Sequence, residues 1–333
     1  MLQRFASKFT HRLYEMPVLV LMPHSRCNCR CVMCDIWKAN SHKQEITDEE
    51  LAKHISAFRE LGVRQVALSG GEALMHSNLW KLCAQLKSIG VKISLLSTGL
   101  TVNVHAQQVI DHCDDLIVSM DGGREQHNSI RNIPQAFEKL SEGVSEIKKK
   151  KPSFRVTGRC VLQKRNFRDF FTIVRAAKEI GLDQISFLAA DVSSTAFNHN
   201  DLNNEQKNEI ALTKSETDEF DQILKQSFAD LKNEYRQKFI AESPSKMGSL
   251  VQHYRALLGV ETFPARKCNA PWVSAVIESS GDVLPCFFHK PYGNIHDDAF
   301  SNIVNSERAI AFRKQLDVNR DPTCQRCVCS LYI

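Results

Sequence analysis

The string SRCNCRCVMCDIW sets Cys27, Cys31 and Cys34 in the spacing Cys-x3-Cys-x2-Cys, directly after an apolar run that begins at Pro17. Three thiolates on one short loop can hold three irons of a cubane 4Fe-4S cluster and leave the fourth iron open to a chelating molecule. Cys29 lies inside the same loop, and the four cysteines together could instead form a structural zinc site. Their crowding, with no second Cys-x2-Cys nearby, makes zinc awkward.

A second constellation lies near the C-terminus, Cys268-x12-Gly281-x4-Cys286 followed by Cys324-x2-Cys327-x-Cys329. Gly281 suits a hairpin turn that brings the first pair together, and Cys-x2-Cys supplies two more thiolates at metal-ligand spacing. On spacing alone this set fits a zinc ribbon as well as an iron-sulfur site.

The elements that must position these residues alternate. Strands are expected at 18–22, 65–69, 91–96, 116–120, 155–162 and 184–188, and amphipathic helices at 47–61, 77–89, 104–113, 134–150 and 167–180. Thr47 and Glu50 form a capping-box pattern at the start of the first helix. Repeated βα units mean a parallel sheet covered by helices, either doubly wound or a barrel, and in both the loops after the C-terminal strand ends carry function. Three such loops bear polar residues: Ser69-Gly70-Gly71-Glu72, Ser97-Thr98-Gly99, and Ser119-Met120-Asp121-Gly122 with Arg131 twelve residues after Ser119. Paired glycines let the backbone approach a ligand, Glu72 offers an acceptor to an ammonium group, and Ser119 with Arg131 suits a carboxylate. In the fifth strand, period two sets Arg159 and Gln163 on the interior face, whereas Cys160, like Cys83 and Cys113 on helices, reads as a packed core thiol. Residues 191–262 are a polar helical connector or lid with two or three helices between 206 and 258. Strands at 272–278 and 283–288 form a C-terminal hairpin.

Taken in order, these motifs resemble the radical S-adenosylmethionine (radical SAM) superfamily with a C-terminal extension of the SPASM or twitch type. The resemblance implies an α/β fold: a partial (β/α)6 TIM-type barrel over 1–190, the connector over 191–262, and a small twitch-like auxiliary-cluster domain over 263–333. It implies SAM on the open iron of the Cys27/Cys31/Cys34 cluster, with Gly70, Gly71, Glu72, Ser97, Ser119, Arg131 and Arg159 around it. It also implies a second 4Fe-4S cluster fully ligated by Cys268, Cys286, Cys324 and Cys327, with Cys329 spare or exchanging with Cys327. The sequence departs from the family pattern at Ala73, where proline is common, and at Thr98, where an asparagine is usual. The expected activity is cleavage of SAM to a 5′-deoxyadenosyl radical that abstracts hydrogen from a small molecule with net oxidation, an electron donor such as flavodoxin or ferredoxin supplying the reductant. Redox-neutral epimerisation or decarboxylation, peptide maturation, and a zinc-stabilised binding module are the rivals. The roughly sixteen residues ahead of the first strand leave little room for a fused leader-binding domain.

Bulk properties agree. A chain of 333 residues, 43% hydrophobic and 24% charged, can bury a large core. The twelve cysteines, without an apolar signal segment, point to metal in a reducing cytoplasm. No run is long enough to span a bilayer, so no membrane role is expected. The net charge of +5 is mild, and the lysines 148–151 read as a solvated helix end without the interleaved aromatics of a nucleic-acid patch.

One prediction follows from the spacing. A fourth thiolate on the first cluster would occupy the iron that SAM needs, so Cys29→Ala should keep the cluster absorbance and its response to added SAM. Loss of both would mean that Cys29 is a ligand.

Overall fold

The computed structural model describes residues 2–198 and 202–333. After helix α1 (Leu2–Thr10), six strands follow at β1 (Val18–Leu21), β2 (Gln65–Leu68), β3 (Lys92–Ser97), β4 (Asp115–Ser119), β5 (Arg155–Leu162) and β6 (Gln184–Ala189). All pair in parallel and in sequential order, as repeated right-handed βα units require. The intervening helices are α2 (Asp48–Ala52), α3 (Ile55–Glu60), α4 (Leu79–Lys87), α5 (Val102–His112), α6 (Arg124–Arg131), α7 (Ala136–Lys150) and α8 (Phe170–Glu179). The expected helix over 47–61 is thus two pieces. Thr47 and Glu50 form the reciprocal capping box, but the helix breaks at Lys53 and His54 before α3 begins. Helix α6 was not expected: its polar sequence REQHNSIR carries little apolar periodicity, yet it buries His127, Ile130 and Arg131. Lys148 at the end of α7 is not merely solvated, since its Nζ donates to Asp183 at 2.7 Å and to Phe154 O at 2.9 Å.

Along each strand the pleat separates two environments. In β4, Leu116 and Val118 are buried beneath the helices, whereas Asp115, Ile117 and Ser119 are half-buried on the opposite, concave face. In β5 the same alternation buries Val156, Cys160 and Leu162 and leaves Thr157, Arg159 and Val161 half-buried. A parallel sheet normally covers both faces. Here the concave face of the partial barrel stays partly open, and its rims carry the motif loops.

Beyond β6 the connector is helical: α9 (Asn204–Ile210), α10 (Lys214–Asp230), α11 (Lys232–Arg236) and α12 (Pro244–Leu257). Residues 239–241 bond to Ile185 of β6 in both directions (2.7 and 2.9 Å), so the connector caps the sheet edge. Tyr254 of α12 is fully buried; its Oη donates to Leu162 O and accepts from Ala190 N at 3.0 Å, joining the helix to the ends of β5 and β6.

The C-terminal region is part of the same sheet. A short helix α13 (Ala270–Val273), opened by Pro271, precedes β7 (Ser274–Ile277), and β7 pairs in parallel with β1 at the edge opposite β6. Strands β8 (Asp282–Leu284) and β9 (Gly293–Asn294) continue antiparallel, giving the order β6-β5-β4-β3-β2-β1-β7-β8-β9. The expected hairpin is present but shorter: residues 272–273 are helical, and β8 ends before Pro285, which lacks the amide a ladder needs. Helices α14 (Phe300–Val304), α15 (Glu307–Gln315) and α16 (Pro322–Arg326) complete the region. It grips the start of the chain: Asn305 exchanges two hydrogen bonds with the backbone of Leu13 (2.7 and 3.0 Å). The fully buried Arg313 donates from Nε to His11 O and from Nη2 to Val304 O, at 2.6 and 2.8 Å.

Arg313→Leu would leave those two carbonyls buried without donors. Each orphaned acceptor costs about 1–3 kcal/mol. Urea titration should show a midpoint lowered accordingly, and an unchanged midpoint would mean that water replaces the guanidinium.

Candidate functional site

The cysteine loop leaves β1 and is fixed on three sides. Asn40 brackets the Cys27 peptide, accepting from its N at 3.0 Å and donating to its O at 2.9 Å. His24 turns back to accept from Arg26 N at 2.9 Å, and its Nε2 faces Glu45 at 3.3 Å. The loop backbone docks on the end of α6 through Arg30 N to Arg131 O and Val32 N to Ile130 O, both 3.1 Å.

The Gly-Gly loop after β2 supplies the next contact. A Cβ added at Gly71 would fall 2.1 Å from Arg26 O and 2.7 Å from Arg26 C, and Glu72 N donates to Arg26 O at 2.8 Å. The two loops therefore join backbone to backbone, which only glycine permits. Gly70, at φ +102°, holds the turn, and a Cβ there would meet Met22 at 2.8 Å. Gly71 thus supports the cysteine loop.

Three residues expected to meet SAM also bond within the scaffold. The carboxylate of Glu72 is fully buried, accepting from Leu74 N (3.1 Å), Ser97 Oγ (3.1 Å), Thr98 N (2.6 Å) and Thr98 Oγ1 (2.6 Å). Burial raises its pKa, against the lowering effect of these donors. It ties the β2 loop to the β3 loop, with three of the four donors on Oε2 and one on Oε1. Ser97 stands in register with Val118, in the row facing the helices rather than the cavity, and its hydroxyl also accepts from Gly99 N at 3.1 Å. Arg131 is buried in an ion pair with Asp121, and its Nη1 lies 3.5 Å from Cys31 Sγ. Asp121 is bound in turn by Val161 N at Oδ1 (3.0 Å), by Asn166 Nδ2 at its carbonyl (2.8 Å), and through its own N to His127 Nδ1 (3.1 Å). A buried guanidinium with a carboxylate partner is a structural clamp on the cysteine loop.

Ser119 and Arg159 stand on the concave face of the sheet. Ser119 pairs with Arg159 and Arg159 with Ser186, so all three side chains stand in one half-buried row on the concave face. Arg159 Nε lies 3.5 Å from Ser186 Oγ, and among the described residues it has no carboxylate within 4.0 Å. Gln163, expected on the same face, is fully buried past the strand end, its amide atoms without hydrogen-bond partners.

The thiols fit iron ligation. Burial pushes Cys27 and Cys34 up to about 12. A hydrogen bond from Cys29, helped by the Arg131 charge and opposed by burial, holds Cys31 below the ordinary range. Metal must displace protons from two of the three, so iron uptake favours higher pH. The unpartnered buried Nδ2 of Asn28 and Nε1 of Trp37 lie on the same loop, leaving donors for a polar ligand.

In the second set, Gly281 at φ +87° makes the hairpin turn, where a Cβ would lie 2.6 Å from Asn294 and His296. Burial first, then neighbouring thiolates, pushes Cys286 up to about 11 and Cys327 up to about 12. Burial, with Asp321 and the thiols of Cys286 and Cys268, raises Cys324 as well. Cys329 is exposed; its N donates to Cys327 Sγ at 3.3 Å, and its O accepts from that thiol at 2.9 Å. Among the described residues, the one group of metal-ligating atoms within 4.8 Å of one another is His289, Asp321 and Cys324. Among the described residues neither cysteine set brings three sulfurs within 4.8 Å of one another.

A strap joins the two sites. Asp35 N donates to Phe197 O and Asn198 Nδ2 to Asp35 O, both at 3.1 Å, while the Phe197 ring sits 6.5 Å from Phe287 and 6.3 Å from Phe288. Asn40, His127 and the strap were not found from sequence, and Asp121 and Thr98 were read only as members of their motif loops, without their partners. Asn40 in particular is six residues beyond the last cysteine of its loop and carries no spacing signal.

Comparison with known proteins places these features. The radical SAM superfamily model matches residues 21–177, and the SPASM model, an iron-sulfur cluster-binding domain, matches residues 268–328. An AdoMet-dependent heme synthase of Methanosarcina barkeri is 28% identical over 159 residues, 46% of this chain and 45% of that protein. A probable GTP 3′,8-cyclase of Sulfurisphaera tokodaii is 24% identical over 172 residues, 49% of this chain and 52% of that one. The chain thus spans about half the length of these curated relatives. Among solved structures, Streptococcus suis SuiB bound to precursor peptide SuiA matches at TM-score 0.69 and 13% identity, covering 98% of this chain and 74% of that one. Native anSMEcpe with bound AdoMet matches at 0.68 and 21%, covering 93% and 86%. These likenesses establish the partial-barrel fold.

The clamp makes a prediction opposite to a simple ligand role. Gly71→Val and Arg131→Ala should both lose the first cluster, bringing reconstituted iron from about eight to about four per chain. Arg131→Ala, which strands Asp121 in the interior, should also lower stability by about 3–5 kcal/mol. Full iron with weakened SAM binding would instead return both residues to the ligand site.

Proposed function

The chain belongs to the radical SAM superfamily and carries a SPASM-type cluster-binding domain, and from that premise we propose that it is an oxidoreductase acting on a small molecule held on the concave face of the barrel. When bound, the first 4Fe-4S cluster and SAM supply reductive cleavage to methionine and a 5′-deoxyadenosyl radical, the hydrogen-abstracting species. Cys27, Cys31 and Cys34 would hold that cluster. The backbone of Gly70 and Gly71 would approach SAM, with Ser119 and Arg159 taking its carboxylate.

The observation that carries this reading is the row Ser119, Arg159 and Ser186. It sets a cation with no carboxylate within 4.0 Å among the described residues, its charge partner being the more distant, half-buried Glu242, flanked by two hydroxyls on the concave face. A guanidinium there binds a carboxylate by charge-assisted hydrogen bonds. The apolar neighbours Ile117 and Val161 help to exclude water from the same face. Glu72, Ser97 and Arg131 hold the loops in place around it.

The second cluster, closed by Cys268, Cys286, Cys324 and Cys327, has no iron free for a ligand and is suited to passing electrons, which favours net oxidation. A flavodoxin- or ferredoxin-like protein would supply the electron for cleavage. A peptide side chain is the second substrate class, suggested by the peptide-bound SuiB structure.

Cys268→Ala with Cys286→Ala tests the electron-acceptor role. SAM cleavage should persist at the first cluster while product per SAM consumed falls away, with circular dichroism checking that the hairpin remains folded. A folded double variant without the second cluster but with the normal product yield per SAM would favour a redox-neutral reaction.

A further inference from the structure

The second cysteine set is accompanied by two nitrogen side chains that no motif includes. His289 follows Cys286 by three residues, and its Nε2 lies 3.4 Å from Cys324 Sγ. The ring is held in place, packing edge to face on Phe312 at 4.9 Å between centroids with only 10% of the side chain exposed. The nearest competing acceptor, Asp321 Oδ1, is 3.9 Å from the same nitrogen and already accepts from Cys324 N at 2.9 Å. On the other side stands half-buried Arg266, two residues before Cys268. Its Nη2 lies 3.2 Å from His253 Nδ1, its Nε is buried without a hydrogen-bond partner, and among the described residues it has no carboxylate within 4.0 Å. Cys327 and Cys268 are the anionic groups whose charge it feels.

A sulfur that ligates iron carries no proton and can only accept. Contact at 3.4 Å then requires His289 to present Nε2–H, which leaves Nδ1 as the unprotonated nitrogen of the neutral ring. Hydrogen bonds to cluster sulfurs and nearby positive charge stabilise the more negative, reduced form, and are among the levers that set an iron-sulfur potential. The donors are therefore on the cluster rather than in it.

We propose that His289, by an Nε2–H···S hydrogen bond to Cys324, raises the reduction potential of the auxiliary cluster, with Arg266 as its counter-charge. His289 is a positioning and tuning residue, and four cysteines remain the iron ligands. This inference rests on the ligand assignment proposed above. It adds what that assignment lacks, a physical reason why the second cluster takes up an electron readily.

The experiment uses full-length protein carrying Cys27→Ala, Cys31→Ala and Cys34→Ala, so that only the auxiliary cluster remains. Iron analysis should give about four irons per chain. A chain without iron would overturn the ligand assignment and this inference with it. In that background, His289→Phe preserves the packing on Phe312 and removes the donor. EPR-monitored redox titration should show about tenfold less reduced cluster at a fixed ambient potential, a midpoint lower by about 59 mV for one electron. His289→Gln, whose amide can still donate, should recover most of the shift. Labelling histidine with 15N should give a weak nitrogen coupling in the reduced cluster. An unchanged midpoint in an iron-replete His289→Phe protein would overturn the tuning role. A strong 15N coupling, or loss of iron in both His289 variants, would instead make His289 a ligand and equally overturn the proposal.

Discussion

Arg131 is a cation removed from water and held between a carboxylate and a thiol. Burying such a pair is unfavourable unless its geometry is good and the remaining polar atoms are bonded. Here Asp121 Oδ1 accepts from the backbone of Val161 and Asn166 binds the Asp121 backbone carbonyl, while Arg131 Nε stays buried without a hydrogen-bond partner. The end of β4, the end of β5, helix α6 and the cysteine loop therefore form one unit around a single ion pair. The Gly71 contact adds the β2 loop, and Glu72 adds the β3 loop through Ser97 and Thr98. Four strand ends thus reach the cysteine loop through buried polar groups, which positions it more rigidly than a surface loop could be.

How much of this was legible depended on the range of the interaction. The cysteine spacing is local and read directly, as did the six parallel strands, because each βα unit carries its own periodicity. Glu72, Ser97 and Arg131 were legible as site residues, but their bonds within the scaffold were not. Each of those bonds needs a partner from another element: Thr98 for Glu72, the helix-facing register of Ser97, and Asp121 for Arg131. Helix α6 escaped notice because polar contacts stabilise it rather than an apolar stripe. Strand β7 read correctly as a strand, but nothing in its sequence says that its neighbour is β1, since pairing across about 250 residues leaves no local pattern.

The strap between the two cysteine sites carries visible strain. Phe197 and Asn198 both adopt φ near +59°, a left-handed conformation that asparagine tolerates and phenylalanine does not favour. Such a conformation costs roughly 1–3 kcal/mol and persists only where surrounding contacts determine it. Here the carbonyl of Phe197 is bound by the loop that bears Cys34, and its ring lies on the aromatic pair that follows Cys286. The strain is thus located where the first cysteine loop meets the second.

The pairing of β1 with β7 also orders events during synthesis. Strand β1 leads directly into the cysteine loop, and its outer edge is completed only by residues 274–277. At about 5–20 residues per second, the intervening stretch takes on the order of 10–50 s to emerge. Throughout that interval Cys27, Cys31 and Cys34 sit on a loop that follows a strand whose outer edge is still bare. The nascent chain thus exposes an unpaired edge beside unprotected thiols, a state prone to aggregation and oxidation.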